Sequence, residues 1–243
     1  MILTGHQPNY LPYPGFFYKI AQAEVFAIVD TVQFVKRGTF GYQNRAKIRT
    51  HRGWMWLTVP VLTKGRYHQI ICETRINNRI PWQKKHWRSI ALNYQKAPYF
   101  GRHRDFFEKI YQRDWEYLAD LNIEIIRYLI EALEIKVKIV KASDFKPVGK
   151  GTDLIIDMCQ KLEADAYIHG KHGRDYVDER KFQRANIRSI YQDFQHPAYK
   201  QQFEPFVPYM SVIDLIFNYG PESLDIILGR KKVGEQKPMG VAG

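Results

Sequence analysis

Apolar and polar positions follow two rhythms along this chain, and the places where one gives way to the other outline an α/β fold. Ile2-Leu3-Thr4 reads as a short strand. The unbroken apolar run Val25-Phe26-Ala27-Ile28-Val29 reads as a strand buried on both faces, as in a parallel sheet. Between them Pro14 suits the first turn of a helix, where a missing N–H is harmless. Residues 15–23 continue that helix, with Phe16, Ile20 and Ala23 on one side. The chain therefore opens as strand, loop, helix, strand, a βαβ unit.

Farther along, residues 54–61 and 69–76 carry strand patterns, and Lys64-Gly65 between them predicts an antiparallel pair. Helices are predicted from Pro81 onward, with Trp87, Ile90, Ala91 and Tyr94 at helical spacing, and over residues 99–111. The strongest helical period runs through Leu118, Leu121, Ile125, Ile126, Leu129, Ile130 and Leu133. Residues 136–141 read as a strand. Leu154, Ile155, Met158, Cys159 and Leu162 mark a helix, and residues 166–169 and 187–191 two more strands. Ser211 with Asp214 resembles a capping box, opening a helix that Gly220 ends. The expected fold class is α/β: a mostly parallel sheet flanked by helices, with a basic helical and antiparallel insertion. Residues 1–230 are expected to form one domain with a basic subdomain at 36–113, and 231–243 a disordered tail.

Composition narrows this picture. The 243 residues are 45% hydrophobic and 14% aromatic, enough for a substantial core. No stretch approaches the roughly eighteen apolar residues that a membrane-spanning helix needs. The N-terminus shows no secretory signal pattern, so a cytoplasmic location is expected. Cys72 and Cys159 are the only cysteines, too few for a disulfide framework and without metal-ligand spacing.

Charge changes the picture more. Between Lys36 and Arg113, eighteen Lys or Arg stand against three acids, Glu73, Asp105 and Glu108. That block carries +15 of a total of +12, leaving −3 for the rest of the chain. The asymmetry favours an anionic partner: a nucleotide phosphate, nucleic acid, or an anionic surface.

The candidate chemistry gathers where strands are predicted to end, because the ligand crevice of an α/β sheet lies outside the carboxyl ends of its strands. The loop Gly5-His6-Gln7-Pro8-Asn9-Tyr10-Leu11-Pro12 places His6, Gln7, Asn9 and Tyr10 there. Histidine offers acid/base chemistry, and the amides offer paired donors and acceptors. Asp30 and Gln33, at the end of the next strand, face the same crevice if the two strands are neighbours. Asn44 and Arg45 begin a segment in which Arg45, Lys47 and Arg49 share a face if it is a strand. Arginine forks onto phosphate or carboxylate. Finally, Gly170-Lys171-His172-Gly173-Arg174-Asp175-Tyr176 is a Gly-rich basic loop of the kind that cradles phosphate, although it lacks P-loop spacing. His169 and His172 find no obvious third ligand, so no metal is assigned. The sequence leaves any cofactor unspecified.

Several of these pieces together resemble the WbqC-like protein family. They are Gly5 to Pro12 with Gly15-Phe16-Phe17-Tyr18-Lys19-Ile20, then Asp30-Thr31-Val32-Gln33-Phe34, Asn44-Arg45 and Trp56-Leu57-Thr58-Val59-Pro60-Val61. Tyr94 to Phe100, Gly170 to Tyr176 and Met210 to Leu215 also fit. Members of this family are associated with surface-polysaccharide gene clusters, such as those for O-antigen. The resemblance implies work on activated sugars, with transfer of a group to an aminosugar as one form. The βαβ opening also resembles nucleotidyltransferases of the HIGH type, but Phe16 stands where their second His would fall.

The leading expectation is thus a cytoplasmic transferase acting on a nucleotide-linked sugar or a related anionic small molecule. His6 would serve as acid/base and Asp30 would orient it or the substrate. Gln7, Asn9, Tyr10, Gln33 and Asn44 would hold the substrate. Arg45, with Lys171, His172, Arg174 and Tyr176, would hold the phosphate end. Two alternatives stand beside it: nucleic-acid binding through the basic block, including tRNA-dependent aminoacyl transfer, and a non-catalytic role in a polysaccharide-assembly complex.

Overall fold

The structure, a computed structural model, describes residues 1–36 and 41–233. In chain order the elements begin with β1 (Ile2–His6), α1 (Pro14–Ile20), β2 (Val25–Ile28), β3 (Arg45–Thr50) and β4 (Gly53–Thr58). They continue with α2 (Trp82–Tyr94), α3 (Phe100–Gln112), α4 (Leu118–Ala132), β5 (Lys138–Lys141), α5 (Ala142–Phe145) and α6 (Thr152–Lys161). The last are β6 (Ala166–His169), α7 (Glu179–Arg184), β7 (Arg188–Tyr191), α8 (Val212–Tyr219) and α9 (Ser223–Ile227).

Five strands form one parallel sheet in the order β5-β2-β1-β6-β7. The apolar runs explain why. Along β2, Phe26 and Ile28 enter one core with Phe16, Phe17, Ile20 and the buried face of α4, while Val25 and Ala27 enter a second core with Met158, Cys159 and Phe182. The sheet is covered on both faces, the condition under which parallel strands read as unbroken hydrophobic runs. Counted along the chain, its strands stand third, second, first, fourth, fifth. The winding direction reverses between β1 and β6, which creates the crevice where α/β sheets bind ligands. Thr4 pairs with Ile168, so the two strands leave the sheet side by side as Gly5-His6 and His169-Gly170.

The basic block lies between the second and third strands of the sheet. Its Ala46, Ile48, Leu57, Ile90, Tyr94 and Phe107 share the same core as Phe26 and Ile28. Arg37 lies outside the described residues, as do 234–243 of the expected tail.

Two expectations are corrected. Residues 69–76 do not pair with 54–61 as a strand. They form a single 3-10 turn, Ile71–Glu73, with only an isolated bridge between Val61 and Ile76. Their backbone bonds are divided: Ile71 N–H donates to Val32 O (3.0 Å) and Cys72 N–H to Asp30 O (2.9 Å) after β2, Ile76 N–H donates to Glu116 O (2.9 Å), and Arg75 O accepts from Leu62 N–H (2.9 Å). The partner of β4 is β3, closed by a tight turn in which Gly53 takes φ +112°, a value that favours glycine. The second correction concerns Asp214. Ser211 caps α8, accepting from Ile213 N–H at 3.4 Å, but Asp214 does not close a capping box. Its Oδ2 accepts from Tyr199 and Gln201 instead.

Candidate functional site

A cavity of about 590 Å³ opens at the reversal point between β1 and β6. Its floor is Gly5, His6 and Lys19, and one wall is the loop 7–13. The opposite wall is His169, Gly170, Lys171, His172, Gly173 and Tyr176. Arg45 and Lys47 from the β3–β4 hairpin and Tyr42 just before it, with Tyr209 and Ser211, complete the lining.

The 7–13 loop is held from behind. Asn122 of α4 donates its amide to both Pro8 O (2.8 Å) and Gln43 O (2.7 Å). Gln43 donates to Gln7 Oε1 at 2.6 Å, and Tyr10 N–H to Tyr42 O at 3.2 Å. The Tyr10 hydroxyl is occupied by His86 Nδ1 (2.9 Å) and by the Tyr111 hydroxyl. Tyr10 therefore faces the cavity with ring and backbone only, and works as a plug that fixes the loop. Among the described residues, six non-glycine residues have positive φ. Glu134, Lys146, Glu163 and Asn186 follow the ends of helices, where that conformation is routine. The other two, Leu11 (φ +42°) and Tyr209 (φ +61°), both line the cavity. Strained backbone of this kind is concentrated at ligand sites.

The electrostatics of the floor are unusual. His6 shares a 2.9 Å contact between Nδ1 and Gln7 O. A carbonyl only accepts, so Nδ1 carries the proton and Nε2 keeps its lone pair. Desolvation, and then the charge of Lys19, push the His6 pKa down to about 3. At neutral pH the ring is a hydrogen-bond acceptor, a weaker base than the expected acid/base role requires. Lys19, only 3% exposed, donates to Gly5 O at 2.7 Å. Burial lowers its pKa to about 7. His169, 1% exposed, has its pKa lowered to about 4, first by burial. Its Nε2 meets Ser189 Oγ at 3.3 Å while Nδ1 has no partner. Asn9 Oδ1 is likewise buried and unpartnered. Gly173 is needed where it stands, since a Cβ there would lie 2.7 Å from that of His169.

Of the candidates named from the sequence, the fold brings His6, Gln7, Asn9, Tyr10, Arg45, Lys171, His172 and Tyr176 to this cavity. Four go elsewhere. Asp30, 2% exposed, receives Ser143 N–H (2.9 Å) and Ser143 Oγ–H (2.7 Å) and so holds the start of α5. Gln33 donates to Tyr67 O, and Asn44 to Val59 O. Arg174 lies over the Tyr191 ring, 4.3 Å from its centroid. Arg49 is no solvated base, being 1% exposed in a polar network of its own. Sequence reasoning passed over Lys19. Its signal was present: it falls three residues after Phe16 on the apolar stripe that also carries Ile20, a place where lysine has no structural reason to be. Lys47 was noted only as a basic face. It sits over Trp54 (4.1 Å to the centroid), beside Arg45 over Trp56 (4.4 Å).

The match to known proteins bears on what this cavity is for. The profile of the WbqC-like protein family matches residues 7–226, a span that holds both walls of the cavity. The chain belongs to the WbqC-like protein family. This WbqC-like chain is 36% identical over 223 residues to the uncharacterized protein Rv1507c of Mycobacterium tuberculosis, covering 91% of this chain and 95% of the relative. No solved structure matches it. No helix among the described residues is long and apolar enough to cross a membrane.

Proposed function

We propose that this WbqC-like chain is a cytoplasmic group transferase whose crevice takes a nucleotide-linked sugar, or a related anionic precursor, in the building of surface polysaccharide. One observation carries the reading. Lys19, Arg45, Lys47 and Lys171 line the cavity, and no Asp or Glu lies among the described residues that line it. A concave, low-dielectric site with one sign of charge concentrates ligands of the other sign. The family's association with surface-polysaccharide gene clusters supports the substrate class, and the basic crevice at the strand reversal supports this cavity as the site.

In this reading Lys171 and Arg45 hold the outer anionic groups, and Gln7 and Asn9 hydrogen-bond the sugar. His6 Nε2 accepts the proton of the attacking amine or hydroxyl. An anion bound beside it offsets the Lys19 charge and attracts the imidazolium directly, and both effects raise the pKa. The test is a panel of nucleotides and nucleotide-sugars, read by thermal shift and calorimetry on the wild type and on Lys171→Ala with Arg45→Ala. Binding that the double variant weakens about tenfold or more supports the reading. A panel in which nothing binds sinks it.

A second reading has its own observation. Trp54 on the hairpin and Tyr42 just before it are exposed, with Lys47 and Arg45 lying against their rings and that of Trp56. Exposed aromatics interleaved with cations suit single-stranded nucleic acid, tRNA ends included. RNA binding that weakens steeply with salt favours this reading, and a flat response counts against it.

A further inference from the structure

Lys19 is the one lysine buried among the described residues, and it stands where the ends of β1 and β6 diverge. A lysine ammonium has three N–H donors. The hydrogen bond found for this one goes to Gly5 O, an acceptor that Tyr167 OH also approaches at 3.4 Å. No carboxylate lies within ion-pair distance of Lys19 among the described residues. The titratable groups around it are His6 at the end of β1 and His169 and Tyr167 on β6. Burying a charge without a counter-charge is strongly unfavourable, so sites of this kind are neutral when empty or are completed by a ligand.

Two further observations point to a ligand. His169, 1% exposed and lining the cavity, leaves Nδ1 without a partner. Its other nitrogen meets the Ser189 hydroxyl, which can donate as well as accept. When Ser189 donates to Nε2, the proton of the neutral ring moves to Nδ1, and the ring gains a donor at that unpartnered atom. Asn9 also lines the cavity with its Oδ1 unpartnered. A lysine, a histidine able to switch to a donor and an amide thus line the same crevice.

We infer that this floor is a subsite for one phosphoryl group, with Lys19 as its counter-charge, and that a proton enters the protein with the anion. The inference rests on the crevice being an anion site, and it adds which residue anchors the deepest group and what accompanies loading. Empty, Lys19 is poised to exchange its proton near neutrality, since burial brings its pKa to about 7. Bound, the dianion holds it as an ammonium. His169 Nδ1 then donates to a second oxygen.

The test uses the full chain and methyl phosphate at about pH 8, where that ligand is already a dianion while the empty Lys19 is mostly neutral. Calorimetry in two buffers of different ionisation enthalpy counts the protons taken up. The wild type is expected to take up close to one. Lys19→Met is expected to bind about tenfold or more weakly and to take up almost none. Lys171→Met is expected to bind more weakly while keeping the uptake. Wild-type binding without uptake overturns the inference and leaves the anion reading standing, and this measurement needs no variant to fold. Acetate binding with uptake where methyl phosphate does not bind overturns the phosphoryl assignment. If no anion binds, in this experiment or in the nucleotide panel, both fall.

Discussion

Strand β3 feeds two buried polar clusters, and they are built on opposite plans. Arg45 and Lys47 lean toward the crevice, where Lys19 has no counter-charge and His169 and Asn9 carry unpartnered atoms. Arg49, four residues beyond Arg45, runs into a network in which its five N–H donors all find acceptors. Nε donates to Gln201 Oε1 (3.1 Å), Nη1 to Thr50 O and Gly53 O, and Nη2 to Phe203 O (2.9 Å) and Pro205 O (2.7 Å). Gln201 in turn donates to Asp214 and to Val207 O, and Tyr199 donates to Asp214. This network fastens the long segment between β7 and α8 onto the hairpin. Here the buried cation has all its donors met, although Asp214 Oδ1 has no partner, whereas the site of the buried lysine at the sheet's reversal point has no counter-charge and is a place kept for something else.

The largest expected effect tests the closed side. Arg49→Met takes a donor from four backbone carbonyls and from Gln201 Oε1, which keeps only Val207 N–H, and breaking one side of a buried charged network costs about 3–5 kcal/mol. Urea unfolding should show that loss with an unchanged slope. A loss below about 1 kcal/mol, the range of exposed pairs, would show that the network is ornamental.

The open side should respond with the opposite sign. Lys19→Met removes a buried, uncompensated amine and fills its space with an apolar chain, so the ligand-free protein should gain roughly 1–3 kcal/mol near neutral pH. The lysine pKa is about 7 when folded against 10.5 ordinarily, so the unfolded chain binds the extra proton between those values. Stability contributed by this group therefore rises with pH across that window, and the advantage of the variant shrinks toward pH 10.5. A variant less stable than the wild type near neutral pH would make Lys19 an ordinary structural residue.

Acid gives a third comparison, because buried histidines lie on both sides. Burial lowers the pKa of His86, His103, His169 and His196 to about 4 and, with Lys19, that of His6 to about 3. The unfolded chain takes up those protons from pH 6.5 downward while the native state resists, so stability falls as pH drops through that window. Asp214 opposes this. Burial raises its pKa to about 6, which favours the folded state on acidification. Five histidines outweigh one carboxylate, and His86, His103 and His169, the most deeply buried, should each cost about 1–2 kcal/mol by about pH 5. Thermal melts from about pH 7 to about pH 5 should fall steadily. With ligand bound, the His6 and His169 share of the fall should shrink, whereas that of His86 and His103 should not.

The same contrast explains what could be read from the sequence. The unbroken run at 25–29 announced a parallel strand because burial on both faces leaves no polar position to interrupt it. The loop after β1 was legible because prolines and polar residues followed a strand directly. That β6 lies beside β1 was not legible, since the pairing joins residues about 164 positions apart, such as Thr4 OH to Ile168 O. The 69–76 segment misled for a related reason: most of its backbone bonds go to residues 30–34 and 116–118, and only its last residues meet residues 61–62, by an isolated bridge. Arg45, Lys47 and Arg49 shared one rhythm but received three environments, because only tertiary packing decides which arginine finds five acceptors. Lys19 was visible as an exception on an apolar stripe. Its lack of a counter-charge was not, because that is a property of everything around it.

The smallest expected effect concerns Asp30, which the order of the sequence placed beside His6 and the fold turned away. Its carboxylate takes both hydrogen bonds offered by Ser143, 113 residues later, and so joins the end of β2 to the start of α5. A side chain capping a backbone N–H in this way contributes about 1 kcal/mol. Asp30→Ala should therefore lose about that much stability, and Ser143→Ala a part of it through the hydroxyl bond alone. The double variant should lose less than the sum, because the two residues share their interaction. Methyl phosphate affinity and proton uptake should stay at wild-type values in all three. If Asp30→Ala instead abolishes anion binding while costing no stability, the carboxylate acts on the crevice after all, and the boundary drawn here between structural and ligand-directed polar groups is in the wrong place.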